Sequence, residues 1–175
     1  YAFLPEVWSI ESYAYIARKG ATIFRAYGIT IFITVVGTTT SILMTLMFAY
    51  PLSRKELPGR MVLSFFVFFT MLFNGGLIPT YLMYTGTFGI KNTIWALIIP
   101  SILMNAFYII MMRSFFTSNI PDSLIEAARI DGAGEYQILF KIVVPLSVPM
   151  IATLALMTGL GYWNDWLNGL YYLTE

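Results

Sequence analysis

Four stretches of the chain, Tyr27 to Leu52, Met61 to Tyr84, Thr93 to Phe116 and Ile142 to Trp163, each run for more than twenty residues with almost no charge. A hydrocarbon layer about 30 Å thick is crossed by roughly 20 residues of helix rising 1.5 Å each. Each stretch is therefore long enough to span a bilayer. Hydrophobic residues make up 58% of the 175-residue chain and charged ones 11%, too apolar for a water-soluble domain. A spanning barrel requires short alternating strands, whereas "MVLSFFVFFTMLF" is continuous, so helices satisfy the backbone. The expected fold is all-α, a polytopic membrane helical bundle forming one domain over residues 1–175. The chain opens on "YAFLPEVW" without an initiator Met and stops in "YYLTE", and is expected to be a fragment lacking helices at one or both ends.

Composition also removes several kinds of chemistry. With no Cys and no His, disulfides, thiol nucleophiles and the usual zinc or haem ligation are excluded, and no metal or cofactor is expected. A net charge of +1 gives no footprint for nucleic acid. Residues 1–25 mix Tyr, Trp, Glu and basic residues as an interfacial segment would. The turn "SRKELPGR" carries Arg54, Lys55 and Arg60 against Glu56, which places it in the cytoplasm by the positive-inside rule. Parity then puts "TGTFGIKN" and both chain ends outside, and residues 117–141 inside.

Within the spans, Thr30, Thr34, Gly37, Ser41 and Thr45 share one face of the first helix. That face suits close helix packing with hydroxyls bonded to backbone or neighbours, a hydroxyl-lined substrate wall being the alternative. "FNGGLIPTY" places Asn74, Gly75, Gly76 and Pro79 inside the second run, where a kink or partial unwinding is expected near Gly75. Broken backbone at membrane depth is tolerated where protein or a wet cavity satisfies it. The kink therefore either lines a translocation path, with Tyr81 and with Asn105 of the third run as further candidates, or merely shapes the bundle. Asn164 and Asp165 close the fourth run at the outer interface, with no proton-relay role.

The stretch from Thr117 to Lys141 is long for a connection between helices, and such loops are usually functional or disordered. Its residues favour order. Pro121 suits a first helical turn, Asp122 suits the positive helix end, and "SLIEAARI" supplies helix formers. Leu124, Ala127, Ala128 and Ile130 are expected to form an apolar stripe on a helix too short to stand alone. Gly132 is placed to end that helix in a left-handed conformation, and Gly134 loosens the step after it. Glu126 can meet a cation on a partner or pair with Arg129. A helix lying on lipid headgroups is the alternative, but Asp122, Glu126, Asp131 and Glu135 outnumber Arg129 and Lys141, a poor match to an anionic leaflet. Docking to a protein is the favoured reading.

The segment "EAARIDGAGEYQILFKIVVP" resembles the EAA motif of permease subunits in binding-protein-dependent ABC importers. Glu126, Ala127, Ala128, Gly132, Ile142 and Pro145 fall in register, with Val144 where the family usually has Leu. "AYPLSRKELPGR", "GGLIPTY", "NTIWALIIP" and "WNDWLNGLYYLT" resemble the carbohydrate, maltose-type branch, particularly the subgroup associated with oligosaccharides, so the likeness covers the chain from about Thr30 onward. It implies a type I importer permease of six helices, of which the first and last would be missing here. It also implies a second homologous permease, two ATP-binding cassette subunits and an extracytoplasmic solute-binding protein, in a bacterial cytoplasmic membrane. Glu126, Ala127, Ala128, Asp131, Gly132 and Pro145 would form the ATPase-coupling segment, with Glu126 near a basic residue of the ATPase groove. The absence of a G-x-x-x-x-G-K-[ST] loop agrees that ATP binds elsewhere, so the chain itself is not expected to be an enzyme. An ion-coupled secondary transporter is the alternative function. It predicts carboxylates or bases buried within the spans, and their interiors hold none.

Overall fold

The computed structural model describes Tyr13, residues 20–100 and residues 102–174, and the described residues are helical with no strand. Most of the interfacial segment expected over residues 1–25 lies outside them. Among residues 20–174 that the structure describes, the helices in chain order are α1 (Gly20–Ser53), α2 (Arg60–Leu72), α3 (Leu77–Thr87), α4 (Trp95–Ile98), α5 (Ala106–Asn119), α6 (Asp122–Ile130), α7 (Glu135–Leu146), α8 (Val148–Trp163) and α9 (Leu167–Tyr172). Helix α1 is the frame. It packs along α8 and α5, α5 packs against α2, and α4 packs against α9.

Only α1 is an unbroken helix long and apolar enough to cross a membrane among the described residues; α2 with α3, and α7 with α8, qualify only as bent pairs. The third and fourth runs are thus not the continuous helices expected, and the second, where a kink was expected near Gly75, is broken outright. In the second, the chain turns by 113° between Leu72 and Leu77. Phe73 is extended, and Gly76 has φ 85° and ψ −179°, a conformation essentially confined to glycine. The amide of Gly76 donates to Asn74 Oδ1 at 2.8 Å, holding the turn. Because α3 restarts at Leu77, Pro79 falls in its first turn, where there is no intrahelical bond to lose. The break is thus far sharper than a proline kink.

The third run is interrupted between Ile98 and Ala106. Pro100 has no N–H with which to continue α4, and the side chain of Asn105 accepts from the amide of Phe107 at 2.9 Å, starting α5 afresh. In the fourth, helix begins at Glu135 and bends by 84° at Ser147. Pro145 removes one donor, and residues 139–143 form a wider π turn in which the amide of Val144 reaches Leu139 O. Pro149 then sits in the first turn of α8.

The main core gathers Leu46, Ala49 and Tyr50 of α1, Met112 and Phe116 of α5, Ile125 of α6 and Ile138 of α7, among others. A smaller cluster joins Ile33, Ile98 and Tyr162. The small-residue face of α1 lies inward as packing requires, with Gly37, Ser41 and Thr45 buried. Thr30 bonds Ala26 O at 3.0 Å, but the hydroxyls of Thr34 and Ser41 find no partner among the described residues. Helix α2 has no fully buried residue, Val67 being half-buried against the core, and Phe65, Phe66, Phe68 and Phe69 stand exposed, the outward apolar surface of a helix meant for hydrocarbon.

The two ends of α1 mark the two ends of the molecule. Near its start, Ile29 and Thr30 share a cavity wall with Asp165, Gly169 and Leu173, while its last turns meet α6 and α7. Asn92, in the turn after α3, exchanges bonds of 3.0 and 2.8 Å with Tyr172 O and the amide of Thr174. Residues 88–94 and the described C-terminal end therefore share one side, as parity requires.

Candidate functional site: a clamped helix with two faces

Helix α6 forms where the sequence signals it. Pro121 precedes it in extended conformation, Asp122 occupies its first turn and Arg129 its last. Gly132 follows with φ 83°, the left-handed residue that ends the helix, and the Gly132 and Ala133 amides return to Arg129 O and Ala128 O at 3.0 Å each. The apolar stripe is not quite the one expected. Ile125 and Ala128 are buried against the core, whereas Leu124 and Ala127 are exposed and Ile130 is 86% exposed. Two apolar faces exist where one was expected, because Ile125 and Ala128, three apart, satisfy the chain's own bundle. The outward face of Leu124, Ala127 and Asp131 stays uncovered.

Ion pairs hold both ends of α6 to the end of α1. Lys55 Nζ lies 3.0 Å from Asp122 Oδ2, and Arg54 lies 3.7 Å from the other oxygen. At the far end Arg129 Nε donates to Glu135 Oε1 at 2.8 Å, and its guanidinium lies 3.8 Å from Glu56. The second oxygen of Glu135 accepts from the hydroxyl of the buried Tyr50 at 2.7 Å. Arg54, itself buried, lies 5.4 Å from the Tyr50 ring centroid and donates to Ser53 Oγ. The bonds from Tyr50 and then Arg129 hold the Glu135 carboxyl below its ordinary value, Lys55 does the same for Asp122, and Glu135 raises Arg129. Beside the clamp is a cavity of about 410 Å³ between Met47, Tyr50, Leu57, Arg129, Tyr136 and Leu139.

Arg129 is thus committed to Glu135 and Glu56, and the alternative pairing with Glu126 is not made. Among the described residues Glu126 is exposed and has no ion-pair partner. A sequence profile of inner membrane components of binding-protein-dependent transport systems matches residues 29–173.

The chain belongs to that family.

Over its full length it is 42% identical to the polygalacturonan/rhamnogalacturonan transport system permease protein YtcP of Bacillus subtilis, covering 60% of that protein. It is 41% identical over 171 residues to protein LplC of the same organism, matching 98% of this chain and 57% of LplC. A crystal structure of a bacterial ABC transporter involved in import of the acidic polysaccharide alginate superposes with a TM-score of 0.79 at 39% identity, over 85% of this chain and 52% of that one. The chain spans about 60% of the length of the curated relatives it matches.

In this permease-family member the residues singled out from sequence fall into separate places. Glu126, Ala127, Asp131 and Gly132 are exposed on or just after α6, Ala128 turns inward, and Pro145 lies in α7 beyond the π turn. Of the path candidates, Asn74, Gly75 and Gly76 form the break before α3, and Pro79 and Tyr81 lie on α3, with the Tyr81 ring 5.6 Å from that of Tyr172 and tilted 31° to it. Asn105 stands apart from them as the cap of α5. Asp165 Oδ1 accepts from the amide of Asn168 at 3.2 Å at the start of α9, and Asn164 bonds Leu160 O where α8 ends. Sequence reading missed Tyr50, Asp122 and Glu135 as a clamp. Lys55 opposite Asp122 is a surface pair 67 positions apart, and Tyr50 reaches Glu135 across 85.

Proposed function

We propose that this chain is the membrane-spanning permease subunit of an ATP-driven importer, in a bacterial cytoplasmic membrane, that translocates a sugar or oligosaccharide handed over by a solute-binding protein. A second homologous permease completes the path. ATP is bound and hydrolysed by cassette subunits whose groove receives α6, and no bond of the solute is broken by the chain described here. The observation that carries this reading is the two-sided α6, held to its own bundle by Ile125 and Ala128 while Glu126 and Ala127 remain uncovered in a chain of this family. Small side chains let a docked backbone approach closely, and a free carboxylate on the same helix offers one charge-assisted contact to a basic groove. Closure of the ATPase dimer then moves α6 and rocks the permease pair between inward and outward states. The polysaccharide-related names of YtcP and of the superposing transporter favour oligosaccharide fragments as cargo, with carboxylate-bearing ones first to be tried.

The complete complex reconstituted in proteoliposomes tests this. Uptake of labelled oligosaccharide should require ATP inside and the binding protein outside. Glu126→Lys should leave assembly intact while separating ATP hydrolysis from uptake. Gly132→Asp should do the same, since a non-glycine residue at φ 83° adds roughly 1 kcal/mol of strain at the bend. Uptake that survives removal of the ATPase subunits but collapses with the ion gradient would instead make the chain part of a secondary transporter.

A further inference from the structure

Helix α6 is joined to the bundle covalently at two places, and neither joint is continuous helix. Before it, Ile120 and Pro121 are extended. After it, the chain passes through left-handed Gly132, then enters a helix with a π turn at 139–143 and an 84° bend at Ser147 before reaching α8. The route after α6 is thus bent twice before α8, and the route before it is anchored at the buried Ile120. Connections across space run from Asp122 to Lys55, an exposed pair, and more firmly from Arg129 through Glu135 to the buried Tyr50. Between them Ile125 and Ala128 pack on the cluster that includes Leu46, Ala49 and Tyr50. The polar links end on the turn directly after α1 or, through Glu135 at the very start of α7 and before its π turn, on Tyr50 of α1. The apolar cluster is shared with Met112 and Phe116 of α5 and Ile138 of α7.

We infer that Tyr50 and Glu135 are positioning residues that make the end of α1 and helix α6 one rigid body, so that motion imposed on α6 enters the bundle through α1 rather than through the bent α7 and α8. This rests on the importer reading above. Tyr50 is buried and its hydroxyl donates to a carboxylate whose other oxygen is held by Arg129, so the acceptor is fixed from two sides. The effect acts through α6, and neither residue is placed to touch cargo or nucleotide.

The test uses the complete complex in proteoliposomes and reads ATP hydrolysed per solute imported in Tyr50→Phe, Glu135→Ala and the double variant. Each single variant is expected to raise that ratio by about tenfold, the factor that ~1.4 kcal/mol of coupling represents. The double variant should be no worse than either single one, because both remove the same link. Glu135→Gln, which keeps one acceptor oxygen, should fall between wild type and Glu135→Ala. Wild-type ratios in the single variants, or effects that multiply in the double, overturn the inference. Should Tyr50→Phe fail to assemble, the exposed Glu135 series decides alone, with a wild-type ratio in Glu135→Ala again overturning it. A wild-type complex that imports without consuming ATP refutes the importer reading itself, a result distinct from any of these.

Discussion

Replacing Gly37 by Ala should destabilise the bundle, and the sign is the informative part. A β-carbon built at Gly37 would lie 2.5, 2.6 and 2.8 Å from Cζ, Cε2 and Cε1 of Tyr162, roughly an ångström inside normal contact. The ring has nowhere to go. Tyr162 is 3% exposed and its hydroxyl donates to Ile98 O at 2.8 Å, pinning α8 to the end of α4. Overpacking of this kind costs about 1–3 kcal/mol, and losing the tyrosine bond as the ring retreats adds about 0.5–1.5 kcal/mol. Alanine in place of glycine within a helix returns about 1 kcal/mol. The net loss is therefore about 0.5–3.5 kcal/mol, where an open site would give a gain. Equilibrium unfolding of the purified protein in detergent micelles measures it. Tyr162→Leu, introduced with Gly37→Ala, should recover part of the loss and give a coupling energy of about 1 kcal/mol or more. Stability of Gly37→Ala equal to or above wild type, or strict additivity with Tyr162→Leu, would refute the close approach.

Asn105→Ala should cost about 1 kcal/mol in the same unfolding measurement and Asn105→Asp much less, because the side chain caps α5; altered cargo preference without a stability change would return Asn105 to the path. Tyr81→Ala should shift the preference among oligosaccharides in competition uptake if α3 lines the route, and identical selectivity would leave the tilted ring pair with Tyr172 as a packing contact. Asp122 and Glu135 are both held below their ordinary values of 3.8 and 4.5, so their ion pairs are intact above those values and are lost only as pH falls through the depressed ones. ATP consumed per solute should therefore be flat between about pH 6 and pH 8, and a steep change in that range would show the clamp to be misassigned.

The distinction between what was legible in the sequence and what was not follows the range of the interactions. Helix α1 is visible as an apolar run because length and hydropathy are local properties, and the ends of α6 are marked by Pro121, Asp122 and Gly132 for the same reason. The break before α3 is signalled by Gly75 and Gly76, though not its size, since a 113° turn depends on the side chain of Asn74 closing back on the Gly76 amide. The gap around Pro100 is masked by apolar neighbours that read as one span. Assigning Ala128 to the outward stripe failed because small size is compatible with either face, and only the burial of Ile125 decides between them. The bond between Tyr50 and Glu135 leaves no local trace at all, since each residue has an ordinary reason to be where it is.

The contact at Gly37 also divides α1 into unequal arms. From Gly37 to Tyr50 is about 20 Å and from Gly37 to Gly20 about 26 Å, at 1.5 Å per residue. A stiff rod held at such a fulcrum behaves as a seesaw. A rigid tilt of α1 about that contact would carry its Gly20 end in the opposite direction to its Tyr50 end and about a third further, in the ratio of the two arms.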